Sequence, residues 1–276
     1  MTRPRVPLLA AVLVAAVGLS ACGTGTVSTR DTPTTTVTAP GTTAAPATPS
    51  GTVAPDAPGV DLVEFFLRGT DVGVGHRRVG PTAAVARAAL DQLLAGPDAT
   101  ERTAGLSTAI ASGLRVTALS IADGTADVTF SGDLAPAADR HRAEAQVVFT
   151  LSQFPTVTAV RIAGGAPLTR AAFADVTPHI LVLSPAPGQA VRSPVTIAGL
   201  NNSFESTFQA QVLDADRRVL VTAPVTGKGE MGTWGPFAID LTFSATPGSA
   251  GYVRVFDISA ESGARVDLVD VPVRFP

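Results

Sequence analysis

Apolar positions between residues 60 and 96 change from strand spacing to helix spacing. The run 60–67 is apolar on both faces, which predicts a strand covered on both sides. A helix is predicted next, opened by Gly80-Pro81-Thr82 and stopped by Gly96-Pro97, because Ala86, Leu90, Leu93 and Leu94 recur at helical spacing. The pattern therefore begins as a β-α unit.

The pattern between residues 114 and 162 completes this unit. Two strands, 114–121 and 125–130, are predicted to form a hairpin across Asp123-Gly124. A second helix over 137–154 and a last strand over 157–162 follow. The order β-α-β-β-α-β predicts an α+β domain with two helices packed on one sheet face. We expect this domain to span residues 59–168.

After Pro178 the chain contains short β-rich runs between clusters of Gly, Pro, Asp and Ser. The predicted strands are 180–183, 195–198, 207–213, 219–223, 237–243, 251–258 and 266–275. Seven short strands without a helical pattern predict an all-β, immunoglobulin-like sandwich over residues 178–276. The usual Cys…Trp…Cys signature is absent, so this sandwich would lack the inter-sheet disulfide.

The N-terminus has the pattern of a secretory signal peptide. Basic residues Arg3 and Arg5 precede an apolar run, and Leu19-Ser20-Ala21-Cys22 follows. These four residues resemble the lipobox of bacterial lipoproteins, which implies removal of residues 1–21 and lipidation of Cys22, typically by palmitate. The alternative is an ordinary signal peptide cut elsewhere. Because Cys22 is the chain's one cysteine, we favour the lipid anchor, which places the protein on the outer face of the cytoplasmic membrane.

Residues 22–58 are rich in Thr, Pro, Ala and Gly and have almost no large apolar side chain. Such a segment cannot bury enough surface to offset its chain entropy, so we predict a disordered linker. It is either a plain tether or an O-glycosylated stalk.

The charge of the chain argues against nucleic acid as a partner. The formal net charge is −3, and it becomes −5 once Arg3 and Arg5 are removed. No basic stripe of the kind that binds nucleic acid remains.

Residues that could carry catalysis or bind a metal are scattered through the sequence. His141 and Glu144 share a helix face, but two ligands do not make a metal site, and a solvated ion pair beside Arg140 and Arg142 is the simpler interpretation. Candidate carboxylates for a hydrolase are Glu64, Asp127, Glu205 and Asp240, with no pattern that pairs them. We expect no enzyme activity, cofactor or metal.

Two features could form interaction surfaces. Gln146, Phe149, Thr150 and Gln153 form one stripe of the second helix, as either a partner-binding face or a polar rim beside the buried residues. The buried stripe itself is expected at Val147, Val148, Leu151 and Phe154. Trp234 lies in a loop-like stretch, where it could anchor an interface, stack on a sugar or pack in the core. The polar run 201–205 could likewise bind a ligand or enter a strand.

The first domain resembles the GerMN domain of sporulation and germination proteins. The matching residues are Glu64-Phe65-Phe66-Leu67, Leu93-Leu94-Ala95-Gly96-Pro97, Glu101, Gly105-Leu106, Val128-Thr129-Phe130-Ser131 and the segment 145–154. The second domain resembles the immunoglobulin-like domain of bacterial spore germination, through Ser184-Pro185, Pro187-Gly188, Ser193-Pro194, Gly199, Phe204-Glu205, Gly235-Pro236-Phe237 and the segment 255–259.

The resemblance implies a non-enzymatic module, similar to ring-building domains that associate side by side outside the membrane. No catalytic residues are established for the family. We therefore expect assembly or scaffolding in the cell envelope, with an envelope protein or a second copy as partner besides the membrane. The alternative is a module that binds cell-wall glycan (peptidoglycan), for which the linker and Trp234 are the indications.

Overall fold

A computed structural model describes residues 59–203, 206–230 and 232–276. They all fall within one compact unit, Ala54–Pro276. Cys22, the signal peptide and the linker lie outside the described residues, as do Phe204 and Glu205.

The first domain opens with a hairpin of which the sequence predicted one strand. Strand β1, Val60–Arg68, pairs along its whole length with β2, Asp71–Val79, and at its end with β3, Leu106–Ser107. Strand β2 was missed because glycines interrupt its apolar alternation. Gly75 is required there: a Cβ atom would lie 2.8 Å from the ring of Phe66 and closer still to Glu101.

Within the described residues, the first domain has three α-helices: two follow the hairpin, and the third precedes the last strand of the domain. Helix α1, Val85–Ala95, confirms the first predicted helix. Helix α2, Ala99–Thr103, was not predicted, although Asp98 and Glu101 form a capping box around its first turn. Helix α3, Arg140–Leu151, occupies the centre of the predicted second helix.

A second three-stranded sheet completes this domain. It has the order β4-β5-β6, formed by Val116–Ala122, Thr125–Phe130 and Ala159–Ile162. The predicted hairpin turn is confirmed, with positive φ at Asp123 (49°) and Gly124 (78°) as a type I′ turn requires. Our expectation of a single sheet is wrong. The strands form two sheets, because β1 pairs with β2 and β3 rather than with the β4–β5 hairpin.

The second domain confirms the predicted all-β sandwich and its seven strands. They are β7 Ile180–Ser184, β8 Val195–Asn201, β9 Thr207–Asp214, β10 Val219–Thr226, β11 Gly235–Leu241, β12 Ala250–Ile258 and β13 Arg265–Arg274. One sheet has the order β10-β9-β12-β13 and the other β11-β8-β7. Their inner faces enclose a core that includes Ile197, Val212 and Val253.

The two domains pack directly against each other. Leu181, Leu183 and Leu200 of the sandwich contact the apolar core of the first domain. His76 on β2 hydrogen-bonds through Nε2 to the carbonyl oxygen of Leu183 at 2.7 Å. A 3-10 helix, Arg170–Val176, leads from one domain to the other and buries Phe173 and Val176 in the first core. The connection is therefore part of the folded structure.

Candidate functional site

The polar stripe of α3 lies against the outer edge of β1. Strand β3 pairs with that edge only at Leu67 and Arg68, so the backbone groups of Val63 and Phe65 have no strand partner there. Thr150 Oγ1 accepts a hydrogen bond from the Phe65 N–H at 3.0 Å. Gln153 accepts from the Val63 N–H at 3.3 Å and donates to the Val63 carbonyl at 2.7 Å. Helix side chains thus continue the hydrogen bonding where β3 ends.

Gln146 links β1 to the segment that follows β3. Its Nε2 donates to the Phe65 carbonyl at 3.2 Å. Its Oε1 accepts from the Ala109 N–H at 2.9 Å and from the Thr108 hydroxyl at 3.2 Å. The side-chain amide replaces a residue of a missing strand, because a buried backbone group without a partner costs free energy.

These contacts correct both interpretations of the stripe, as a partner-binding face and as a polar rim beside the buried residues. Gln146 and Thr150 are fully buried and Phe149 is 2% exposed, while Gln153 is half-buried. The helix packs against β1, α1 and the 3-10 helix, so polar residues that would form a rim on an amphipathic helix lie inside the domain. The stripe stabilises the domain and presents no open face to a partner.

Glu64, between Val63 and Phe65 on β1, is a fully buried carboxyl group. It lies opposite Gly75, and neither of its carboxyl oxygens has a hydrogen-bond partner among the described residues. Burial raises the pKa of Glu64 to about 8, against the attraction of Arg77 and with a smaller repulsion from Glu101. At neutral pH the group is therefore mostly the uncharged acid.

Arg77 and Glu101 form a buried ion pair beside Glu64. Arg77 donates Nη1 to Oε1 and Nη2 to Oε2 of Glu101, the second bond at 2.6 Å. Glu101 also accepts from the Asp98 N–H at 2.8 Å within the capping box. The Arg77–Glu101 pair holds α2 against the β1–β2 hairpin. Because Arg77 donates to both Glu101 oxygens, Glu64 has no hydrogen bond from it.

Trp234 lies where the connection between the domains meets the sandwich. Its indole Nε1 donates to the Pro178 carbonyl at 3.2 Å, and the residue is half-buried. Neighbouring buried side chains are also structural: Asn202 Oδ1 accepts from the Gly232 N–H at 2.6 Å. The interface and sugar-stacking interpretations of Trp234 stay predictions.

The junction of the domains contains a narrow cleft of about 190 Å³. Its walls are mostly aliphatic and proline side chains, with Arg68, Asp71 and Asp267 as the charged groups. Arg68 Nη1 donates to the carbonyl oxygens of Ala104 at 2.6 Å and Asp270 at 3.4 Å. The guanidinium therefore joins the two domains.

The other candidate residues are dispersed. His141 contacts Asp175 at 3.0 Å, and Glu144 lies 3.8 Å from Arg140. Asp127 pairs with Arg161, and Asp240 accepts from Thr196. The described residues hold no group of three or more His, Cys, Asp or Glu side chains that could bind a metal ion. Glu205 lies outside the described residues.

Among the helices that the structure describes, none combines the length and the apolar character needed to cross a membrane.

Comparisons with known families match both domains. Residues 52–169 match the Germane family, described as sporulation and spore germination, and residues 179–264 match Gmad2, the immunoglobulin-like domain of bacterial spore germination. Both resemblances that the sequence suggested are thereby confirmed. No curated protein matches the chain significantly.

Three solved structures are similar to parts of the chain. The first GerMN domain of the sporulation protein GerM from Bacillus subtilis has 21% identity over 40% of this chain and 95% of that chain, with a TM-score of 0.33. The tandem GerMN domains of the same protein have 16% identity over 67% and 62%, with a TM-score of 0.36. A putative lipoprotein from Clostridium perfringens has 14% identity over 47% and 88%, with a TM-score of 0.26.

Proposed function

This chain joins a sporulation and spore germination domain to an immunoglobulin-like domain of bacterial spore germination, and we propose that it is a non-catalytic assembly protein of the bacterial cell envelope. A lipid on Cys22 anchors it to the outer face of the cytoplasmic membrane. The linker of residues 22–58 holds the two domains away from the membrane, where they dock with an envelope protein or a second copy.

The observation that carries this proposal is the continuous packing between the domains. The sandwich residues Leu181, Leu183 and Leu200 contact the first core, and Arg68 and His76 add polar contacts across the junction. Two domains joined in this way present their surfaces in a fixed relation, which suits a docking platform better than two modules on a flexible hinge.

The buried polar residues of the first domain support the same proposal. Gln146 and Thr150 hydrogen-bond to the β1 backbone, and Glu101 pairs with Arg77. Each of these side chains has a structural partner inside the domain, so its chemistry is used in holding the fold.

Fractionation of cells that express the full chain tests the anchor. The wild-type chain is expected in the membrane fraction with incorporated palmitate, and Cys22→Ser is expected to lose the label and leave that fraction. Since stable anchoring takes two acyl chains, a chain that is cleaved and carries none should leave the membrane. Palmitate incorporation by Cys22→Ser equal to that of the wild type would overturn the anchor.

Binding to cell-wall glycan is the alternative that the half-exposed Trp234 favours. Co-sedimentation of the protein with peptidoglycan, abolished by Trp234→Ala, would support it. Sedimentation unchanged by this substitution would remove stacking as the mode of binding.

A further inference from the structure

Apart from the two-residue strand β3, the sheet edges of the first domain are covered, with one exception among the described residues. Side chains of α3 cover the outer edge of β1. The outer edge of β6 exchanges two hydrogen bonds between Val160 and Leu168, each 2.8 Å long. Strand β2 packs against β7 of the sandwich, where His76 bonds to Leu183. The exception is β4, which pairs with β5 and with no other described strand.

Over most of its length, strand β4 also lacks the features that usually protect an edge. Natural edge strands carry lysine, proline or inward-pointing charges, which prevent pairing with another chain. From Thr117 to Ala122 the strand is exposed or half-buried throughout and has no charged residue and no proline. Its start is protected, because a bulge lies at Thr117 and Arg87 Nη2 donates to the Val116 carbonyl at 2.7 Å. Most of the strand therefore offers free backbone groups to an added strand.

An apolar groove runs beside this edge. Leu119 and Ile121 lie opposite Val128 and Ala126 of β5, so they are on the core-facing side of the sheet. Ile121 is nevertheless 41% exposed, because α1 does not reach over the edge. The small apolar residues 83–86, just before and at the start of α1, form the facing wall together with Arg87. A strand added to β4 would place its own inward side chains in this groove.

The charges that flank β4 indicate which strand would be added to it. In an antiparallel pair of two β4 strands centred on Leu119, Arg115, which precedes the strand in one copy, comes to the same end of the pair as Asp123, which follows the strand in the other copy. Both residues are exposed, and neither forms an ion pair within the described part of the chain. The uncharged centre brings no like charges together. The strand is thus complementary to itself about a two-fold axis, as an isologous dimer requires.

We propose that the free edge of β4 pairs antiparallel with the β4 edge of a second copy of this chain, forming a six-stranded sheet across the dimer with Leu119 at the two-fold axis. This proposal rests on the proposed function, since it names the partner and the surface of one docking event. Paired strands bring opposed Cα atoms to about 4.5–5.5 Å, which lies within the range that a disulfide spans.

Cysteine cross-linking of the full chain in cells tests the register. Leu119→Cys is expected to give a disulfide-linked dimer on a non-reducing gel. Thr129→Cys, at an exposed position of the middle strand β5, serves as the matched control and should remain monomeric, as should the unchanged chain with Cys22 alone. A dimer yield from Leu119→Cys no higher than from Thr129→Cys would overturn the proposal.

Charge substitutions test the edge itself. In the Leu119→Cys background, Ile121→Lys should lower the dimer yield about tenfold, because a lysine blocks edge pairing. Val219→Lys, at an apolar residue of the sandwich that is 48% exposed, should leave the yield unchanged. Arg115→Glu should weaken dimerisation and Arg115→Lys should preserve it.

The cross-linked products separate this proposal from the broader function. If the chain cross-links to other envelope proteins but Leu119→Cys gives no symmetric dimer, the β4 pairing is wrong and the assembly role stands. A cross-link from Leu119→Cys to a different protein would overturn the second copy as the occupant of the edge. A symmetric dimer that Ile121→Lys abolishes supports both.

Discussion

The buried acid Glu64 gives a quantitative prediction for the first domain. Its pKa is about 8 in the folded protein against 4.5 for an ordinary glutamate, since burial disfavours the charged form. The folded state therefore binds the proton more tightly than the unfolded state. The stability that this group contributes is complete below pH 4.5 and is lost as the pH rises through about 8.

Glu64→Gln keeps the shape of the uncharged acid at every pH. A pKa difference of one unit corresponds to about 1.36 kcal/mol. Relative to the wild type, the free energy of unfolding of the variant should therefore be little higher near pH 5, about 3 kcal/mol higher at pH 7 and about 5 kcal/mol higher at pH 9. Side-chain relaxation toward Arg77 would reduce these values without changing their direction.

Urea unfolding followed by far-ultraviolet circular dichroism at pH 5, 7 and 9 measures this difference. Glu261→Gln, at an exposed carboxylate of the β12–β13 turn, is the matched control and should change stability little at any pH. A difference between Glu64→Gln and wild type that stays constant from pH 5 to pH 9 would refute the reasoning.

Three further predictions follow from buried contacts. Gln146→Leu should lower the free energy of unfolding by about 2–5 kcal/mol, because two backbone groups and a hydroxyl lose their partner, while Gln92→Leu on α1 should have little effect in the same urea titration. Gly75→Ala should cost about 1–3 kcal/mol, since a Cβ meets Phe66 and Glu101, whereas Gly80→Ala meets nothing within 4 Å and should be tolerated. Burial raises the pKa of Asp270, but hydrogen bonds from Arg254 and Arg217 outweigh it and hold the pKa below its usual value. The stability that ionised Asp270 contributes is therefore present above the unfolded pKa and lost on acidification. Asp270→Asn lacks this contribution at every pH, so its melting temperature should fall less than that of the wild type when the pH is lowered below 4.

The strands of the sandwich were predictable because each is a short β-rich run between turn residues. Strand β2 was not, since Gly73 and Gly75 occupy positions where neighbouring side chains leave no room for a Cβ. Helix α2 left a readable signal in the spacing of Asp98 and Glu101, which a search for capping boxes would have found.

The spacing of the stripe residues along α3 was readable from the sequence, but their environment was not. Amphipathic reasoning places polar residues outside, yet Gln146 and Thr150 are buried against a strand edge that the sequence does not reveal. The usable signal is their chemistry: glutamine and threonine can both donate and accept without carrying a charge. The sequence also did not reveal that β4 has a free edge, because this depends on which strand lies at the end of the sheet.

Cross-linking of the full-length chain in cells, followed by mass spectrometry of the membrane fraction, tests the central claim most directly. The account predicts reproducible cross-links from the two folded domains to a second copy or to another envelope protein. A protein recovered alone and bound to wall fragments would contradict the assembly role and favour glycan binding through Trp234.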